Sequence, residues 1–180
     1  MTGKKFELIF NKEKYVADYR GIIIHLMIDN ECLVDDILAK YYCGDSFDKR
    51  REFIHTILGQ EQFGLMRKRD LIMYLLTNNY PEFLDKNKDL HSEGFGGFFK
   101  ELIELRNICA HRRYISDFSE VKEEFTFSLD HYSTSSHSIK VKRHIRKESD
   151  TPKEVLKCYK LKEKLQDIKS LLGFAVNGGD

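Results

Sequence analysis

With 180 residues, the chain is long enough for one substantial hydrophobic core and too short to suggest two full domains. Its 30 lysines and arginines nearly balance 29 acids, for a formal net charge of +1, so attraction for nucleic acid has to rest on local patches instead of a long-range field. No segment approaches the roughly 20 apolar residues of a membrane span, and Met1-Thr2-Gly3-Lys4-Lys5 leads into only a brief apolar run, which predicts a soluble, cytoplasmic protein without membrane contact.

From Lys14 to Tyr42, apolar residues recur at Tyr19, Ile22, Ile23, Leu26, Met27, Leu33, Val34, Ile37, Leu38 and Tyr41. This three-to-four spacing predicts one long amphipathic helix, the spine of a bundle. A turn at Gly44-Asp45-Ser46 leads to a shorter helix from Lys49 to Leu58 that Gly59 can end. Leu65, Met66, Leu71, Ile72, Leu75 and Leu76 mark a third, stopping near Asn78-Asn79-Tyr80-Pro81. A polar segment and Gly94-Phe95-Gly96-Gly97, read as a hinge, precede a strong helix from about Phe98 into Arg106.

The period then changes from helical to two. Residues 124–129 and 138–142 alternate apolar and polar across an eight-residue polar connection, which predicts a small β-hairpin. Thr151-Pro152-Lys153-Glu154 has the form of a capping box with proline at the first helical position, opening a last helix through Val155, Leu161, Leu165 and Leu172. The expected class is all-α: a bundle of four to six helices with a hairpin inserted before the last. One domain is expected, with a helical core over 1–116, the hairpin over 120–147 and the C-terminal helix over 151–174.

The candidate chemistry lies in Arg106-Asn107-Ile108-Cys109-Ala110-His111. At 100° per residue from Glu104, Phe98, Phe99, Leu102, Ile103, Leu105, Cys109 and Ala110 fall in an arc from about 100° to 260°, and Arg106 at about 200° lies near its middle. A guanidinium is costly there unless it is paired or opens onto a wet crevice. Asn107 and His111 are four apart and stack along one edge of the same face. Two readings stay open: the three side chains converge on one functional spot, or Arg106 snorkels or pairs with a carboxylate of another helix while His111 merely meets the helix's C-terminal carbonyls.

The stretch Glu-Leu-Arg-Asn-Ile-Cys-Ala-His-Arg at 104–112 resembles the signature of the HEPN superfamily, an Arg-x4-6-His motif that often begins Arg-Asn and lies late in a helical bundle. The long first helix, the shorter helices after it, the insertion after the motif and the last helix resemble that fold in outline. The resemblance implies a homodimer in which two motifs line one cleft, and metal-independent endoribonuclease activity of the kind found in toxin–antitoxin, abortive-infection and antiviral systems. Some members keep the fold and act instead in binding RNA, nucleotide or a regulatory protein partner. One branch adds a tyrosine two residues after the histidine; here Arg113 holds that place and Tyr114 follows it.

The implied chemistry needs no metal and no cofactor. His111 takes the proton of a ribose 2'-hydroxyl or protonates the leaving oxygen, Arg106 meets the charge on the phosphate, and Asn107 orients the histidine or holds the phosphate. RNA-binding candidates are Arg112 and Arg113 beside the motif and Lys140, Lys142 and Arg146 on the hairpin, where His144 completes an alternate-position row sharing one strand face. Such a row can equally deter edge pairing.

Other chemistry has weaker support. Arg67-Lys68-Arg69 reads as an ordinary solvated turn, and His131 and His137 lack the companion ligands of a metal site. Cys32, Cys43, Cys109 and Cys158 show no Cys-x-x-Cys pairing, which argues for reduced structural thiols. Cys109 and His111 are two apart and diverge on a helix, so Cys109 is expected in the core. Gly94 to Gly97 lacks the lysine and preceding strand of a phosphate-binding loop.

Overall fold

A computed structural model describes the backbone of residues 3–111, 113–115, 126–135 and 138–173, and the side chains of 12–111, 129 and 145–173. The chain forms the expected helical bundle with a β insertion before its last helix. The helices are α1 (Gly3–Cys43), α2 (Phe47–Phe53), α3 (Leu65–Asn79), α4 (Pro81–Lys86), α5 (Gly94–His111) and α6 (Thr151–Leu171), and the strands are β1 (Arg113–Ile115), β2 (Thr126–Ser135) and β3 (Ser138–Lys147). Two compact units divide the chain: residues 1–26 with 104–157, and residues 27–103 with 158–180. α1, α5 and α6 contribute residues to both.

The larger unit is built on a buried helical stripe. Met27, Val34, Ile37, Leu38 and Ala39 of α1 are buried, as are Ile72, Leu75 and Leu76 of α3 and Cys158, Leu161, Leu165 and Ile168 of α6. Their three-to-four spacing is the amphipathic pattern the sequence shows. Tyr41, counted in that stripe, is exposed instead, and so is Ile22 in the other unit. α1 ends where Gly44 adopts a φ of 63° and its N–H donates to the Lys40 carbonyl at 2.9 Å, the left-handed cap that glycine takes without steric cost. The second helix starts at Ser46, whose hydroxyl accepts from the Lys49 N–H, and it continues past Phe53 as a π-helical turn over Ile54–Leu58 that Gly59 closes.

Two sequence readings change here. Lys68 is no solvated residue: at 3% exposure it is buried, with Nζ 2.8 Å from both Glu31 and Asp35 of α1. The adjacent Arg69 donates to the Gly96 carbonyl at 2.9 Å, so of the three basic residues Arg67 alone is exposed. An apolar stripe and a buried ion pair can share one face of α3 because the pair is satisfied from α1. The glycine run is likewise no hinge. α5 already starts at Gly94, Phe95 packs edge-on against Phe83 of α4 with ring centroids 5.4 Å apart, and a Cβ on Gly97 would lie 2.4 Å from His91 Nδ1. Glycine permits a close approach here. α4 itself starts at Pro81, within the stretch read only as polar.

In the other unit the sheet is antiparallel in the order β1-β2-β3, with Arg113 opposite Asp130, Thr126 opposite Lys147 and Ser135 opposite Ser138. The hairpin is longer than its alternation suggests. Residues 130–135, read as connection, belong to β2, and β3 runs on to Lys147; residues 124 and 125 lie outside the described residues. Tyr132 and Thr134 favour strands by residue type, while a polar ribbon shows no alternation to read. β1 was missed because three residues cannot display a period.

The expected capping box does not form. Thr151 donates its hydroxyl to the Glu148 carbonyl at 2.9 Å and is hydrogen-bonded to the Tyr15 hydroxyl, while the Glu154 carboxylate is engaged elsewhere. Among the described residues, no helix is long and apolar enough to cross a membrane.

Candidate functional site

The last two turns of α5 belong to the smaller unit and carry the motif. Leu105, Ile108 and Cys109 are buried, and Glu104, Asn107 and His111 are exposed. Their spacings of three and four place the three exposed residues on one flank of the helix. Ile108 widens the buried face beyond the arc expected for it.

Arg106 is half-buried, and its Nη1 donates to Asn107 Oδ1 at 3.0 Å. Among the described residues no carboxylate lies within ion-pair distance of it. Arg106 therefore starts from the apolar arc, as the spacing predicts, and its guanidinium reaches the exposed flank at Asn107 through the length of the side chain. With Oδ1 committed to Arg106, the amide N–H donors of Asn107 have no partner among the described residues. His111 closes the helix on the same exposed flank as Asn107.

Arg20, which the sequence reading did not single out, holds the carbonyl end of this helix. Its Nε donates to the Cys109 carbonyl at 2.7 Å, from α1 to the last turn of α5. A cation there satisfies a carbonyl without an intrahelical partner and complements the negative end of the helix dipole. The signal was present as a charged residue between the core positions Tyr19 and Ile23, but snorkelling arginines give the same pattern.

Behind the motif runs a half-buried polar network. The Tyr19 hydroxyl donates to Glu154 Oε2 at 2.5 Å, and Arg146 Nε lies 3.0 Å from Glu154 Oε1. Burial above all, then the negative neighbours, raises the Tyr19 phenol above its ordinary pKa, so it stays a donor. Burial also pushes the Cys109 thiol up to about 11. Cys109 is fully buried, a core thiol as expected and no nucleophile.

The candidate RNA-binding residues are not equivalent. Arg146 is turned to Glu154 and fixes the end of β3 to the first turn of α6. The backbone of Lys140, Lys142 and His144 lies in β3, that of Arg113 in β1 and that of His131 in β2; their side chains, with Arg112 and His137 entirely, lie outside the described residues. By register, position 144 is opposite Leu129, which is fully buried, while Ile145 on the other face is 62% exposed. Among the described residues no group of three His, Cys, Asp or Glu gathers as a metal site.

No protein-family model, curated protein or solved structure matches the chain in the comparisons with known proteins.

Proposed function

We propose that the chain is a metal-independent endoribonuclease of HEPN type, acting as a cytoplasmic homodimer in which Arg106, Asn107 and His111 of each copy face an RNA strand in a shared cleft. The supporting observation is the placement of the motif: an arginine with no carboxylate partner among the described residues, hydrogen-bonded to Asn107, on a flank that ends in an exposed histidine. An arginine kept for internal pairing would have its charge closed off by an acid; among the described residues no acid closes this one off, which leaves donors for an incoming phosphate.

His111 accepts the proton of the ribose 2'-hydroxyl, whose oxygen attacks the adjacent phosphorus while the bond to the 5'-oxygen breaks. The leaving oxygen takes up a proton, from the His111 of the second copy or from water, and the products are a 2',3'-cyclic phosphate and a 5'-hydroxyl. Arg106 supplies charge-assisted hydrogen bonds to the phosphate oxygens as negative charge concentrates there. Asn107 positions the phosphate through its amide N–H groups. A toxin or antiviral effector held in check by an antitoxin or regulatory protein is the biological setting this chemistry fits.

The ends of the products test the chemistry. RNA incubated with the protein is expected to carry 2',3'-cyclic phosphate or 3'-phosphate ends and 5'-hydroxyls. Fragments with 3'-hydroxyls and 5'-phosphates would contradict it, because attack by water leaves those ends. In cells, growth arrest on expression that His111→Ala relieves is the expected companion result. RNA that is bound and never cut would place the chain with non-catalytic, RNA-binding domains of the same fold.

A further inference from the structure

We infer that the cleft between α1 and the face of α2 carrying Arg50 and Arg51 is a binding site for a small organic phosphate monoester bearing a flat apolar group. The site lies in the larger unit, uses none of the motif residues and does not depend on the ribonuclease reading.

The residues reach the cleft by helix spacing. Phe47, Arg50, Arg51, Ile54 and His55 line it from positions separated by three, four, seven and eight, a single helical face, and Ala39 closes the far wall from α1. Phe53 falls outside that face and packs against Tyr42 with ring centroids 5.7 Å apart, so α2 is anchored from another side. α2 itself buries no residue, and Phe47 is 69% exposed. A face with an aromatic and an isoleucine would ordinarily close onto its neighbour; here a cavity of about 270 Å³ remains. That is roughly nine times a water molecule's share of liquid volume, and near the lower end of the roughly 300–1,000 Å³ typical of small-molecule sites.

The polar groups on the wall suit an anion. Among the described residues no carboxylate lies within ion-pair distance of Arg50 or Arg51, and Arg50 Nε is shielded from solvent with no hydrogen-bond partner. Asp36, the acid on the wall, is already neutralised by Lys169 at 2.9 Å. Two guanidiniums with a histidine one turn on, at position 55, present planar donors to the oxygens of a phosphate. Phe47 offers a ring to a flat group attached to that phosphate. The lining continues into the π-helical turn over Ile54–Leu58, a distortion that recurs at functional sites and here carries His55.

The test is isothermal titration calorimetry of the full chain with phenyl phosphate and AMP, each against its phosphate-free counterpart, phenol and adenosine, and against inorganic phosphate. The esters are expected to bind, the phosphate-free compounds to bind at least tenfold more weakly, and inorganic phosphate to bind more weakly than the esters. Arg51→Gln changes an exposed residue, so its fold should survive, and it should weaken ester binding at least tenfold; Arg50→Gln should do the same, and Phe47→Ala should bring the esters down to inorganic phosphate. A 5'-phosphorylated oligoribonucleotide competing through the same arginines would identify an RNA end as the source of the phosphate, and AMP binding without such competition a free nucleotide. Esters that fail to bind, bind equally to Arg51→Gln, or lose affinity only in Arg106→Ala or His111→Ala would overturn the inference. Failure of RNA cleavage leaves it standing, since those two variants should bind the esters as the wild type does.

Discussion

Lys68 shows how a charge can be buried at the centre of an apolar helix face. Burial alone would lower its pKa, but hydrogen bonds to Asp35 and Glu31 outweigh that and raise it. Asp35 is itself raised, by burial first, with Lys68 pulling the other way and Glu31 and Asp36 adding repulsion. Removing the lysine leaves two carboxylates facing each other without a cation. Lys68→Met should cost about 3 kcal/mol at pH 7, and less at pH 4, where Asp35, raised by burial, can take up a proton in the folded protein. Thermal or urea unfolding at both pH values checks this, and an equal deficit at both would contradict it. Cys109 gives the opposite end of the pH scale. Its folded pKa of about 11 exceeds the ordinary 9.0, so the folded state keeps a proton that the unfolded chain releases. Stability should be intact below pH 9 and fall through pH 9–11 by on the order of 2–3 kcal/mol more in the wild type than in Cys109→Ser. The core place of Cys109 was legible from helical spacing, but the role of Lys68 was not: a lysine between two arginines looks solvated, and only the tertiary position of α1 supplies its partners. The Arg106 position was legible, because helical periodicity alone puts it within the apolar arc.

At the scale of elements, long periodic segments were the readable ones. α1, α3 and α6 follow from three-to-four spacing, and the turns at Gly44 and Pro81 follow from the backbone limits of glycine and proline. Short or polar elements were not. β1 has three residues, α4 has six, and the outer half of β2 lacks apolar alternation. The glycines of α5 were read as flexibility because sequence does not show how closely His91 and Glu93 approach Gly97. Gly97→Ala should therefore destabilise the protein by about 1–3 kcal/mol through overpacking, although alanine favours helix; a stabilised variant would restore the hinge reading. The Arg146–Glu154 pair ties β3 to α6, with both side chains less than a quarter exposed. Arg146→Ala should cost about 2 kcal/mol in chemical denaturation; unchanged stability with weakened RNA binding would return this residue to the substrate.

At the scale of the whole molecule, a net charge of +1 offers no general attraction for RNA, so any capture of RNA has to be local. The smaller unit holds the motif, the Arg20 cap and the Tyr19–Glu154–Arg146 network; the larger holds the Lys68 pair and the arginine-lined cleft. The fold class and the motif's place on a late helix were legible because both depend on local periodicity. Arg20 and Glu154 were not, because each depends on a partner far along the chain; the α2 cleft was not, because periodicity does not show how closely α2 packs on α1. The central claim is that Arg106 and His111 cleave RNA without a metal, and the direct measurement is cleavage of a mixed RNA pool in EDTA by wild type, Arg106→Ala and His111→Ala at matched folding and oligomeric state. The wild type should cut, and each variant should lose at least about a hundredfold in rate, the usual contribution of a general acid–base group or a fixed charge at the phosphate. Equal behaviour of all three proteins would contradict the claim.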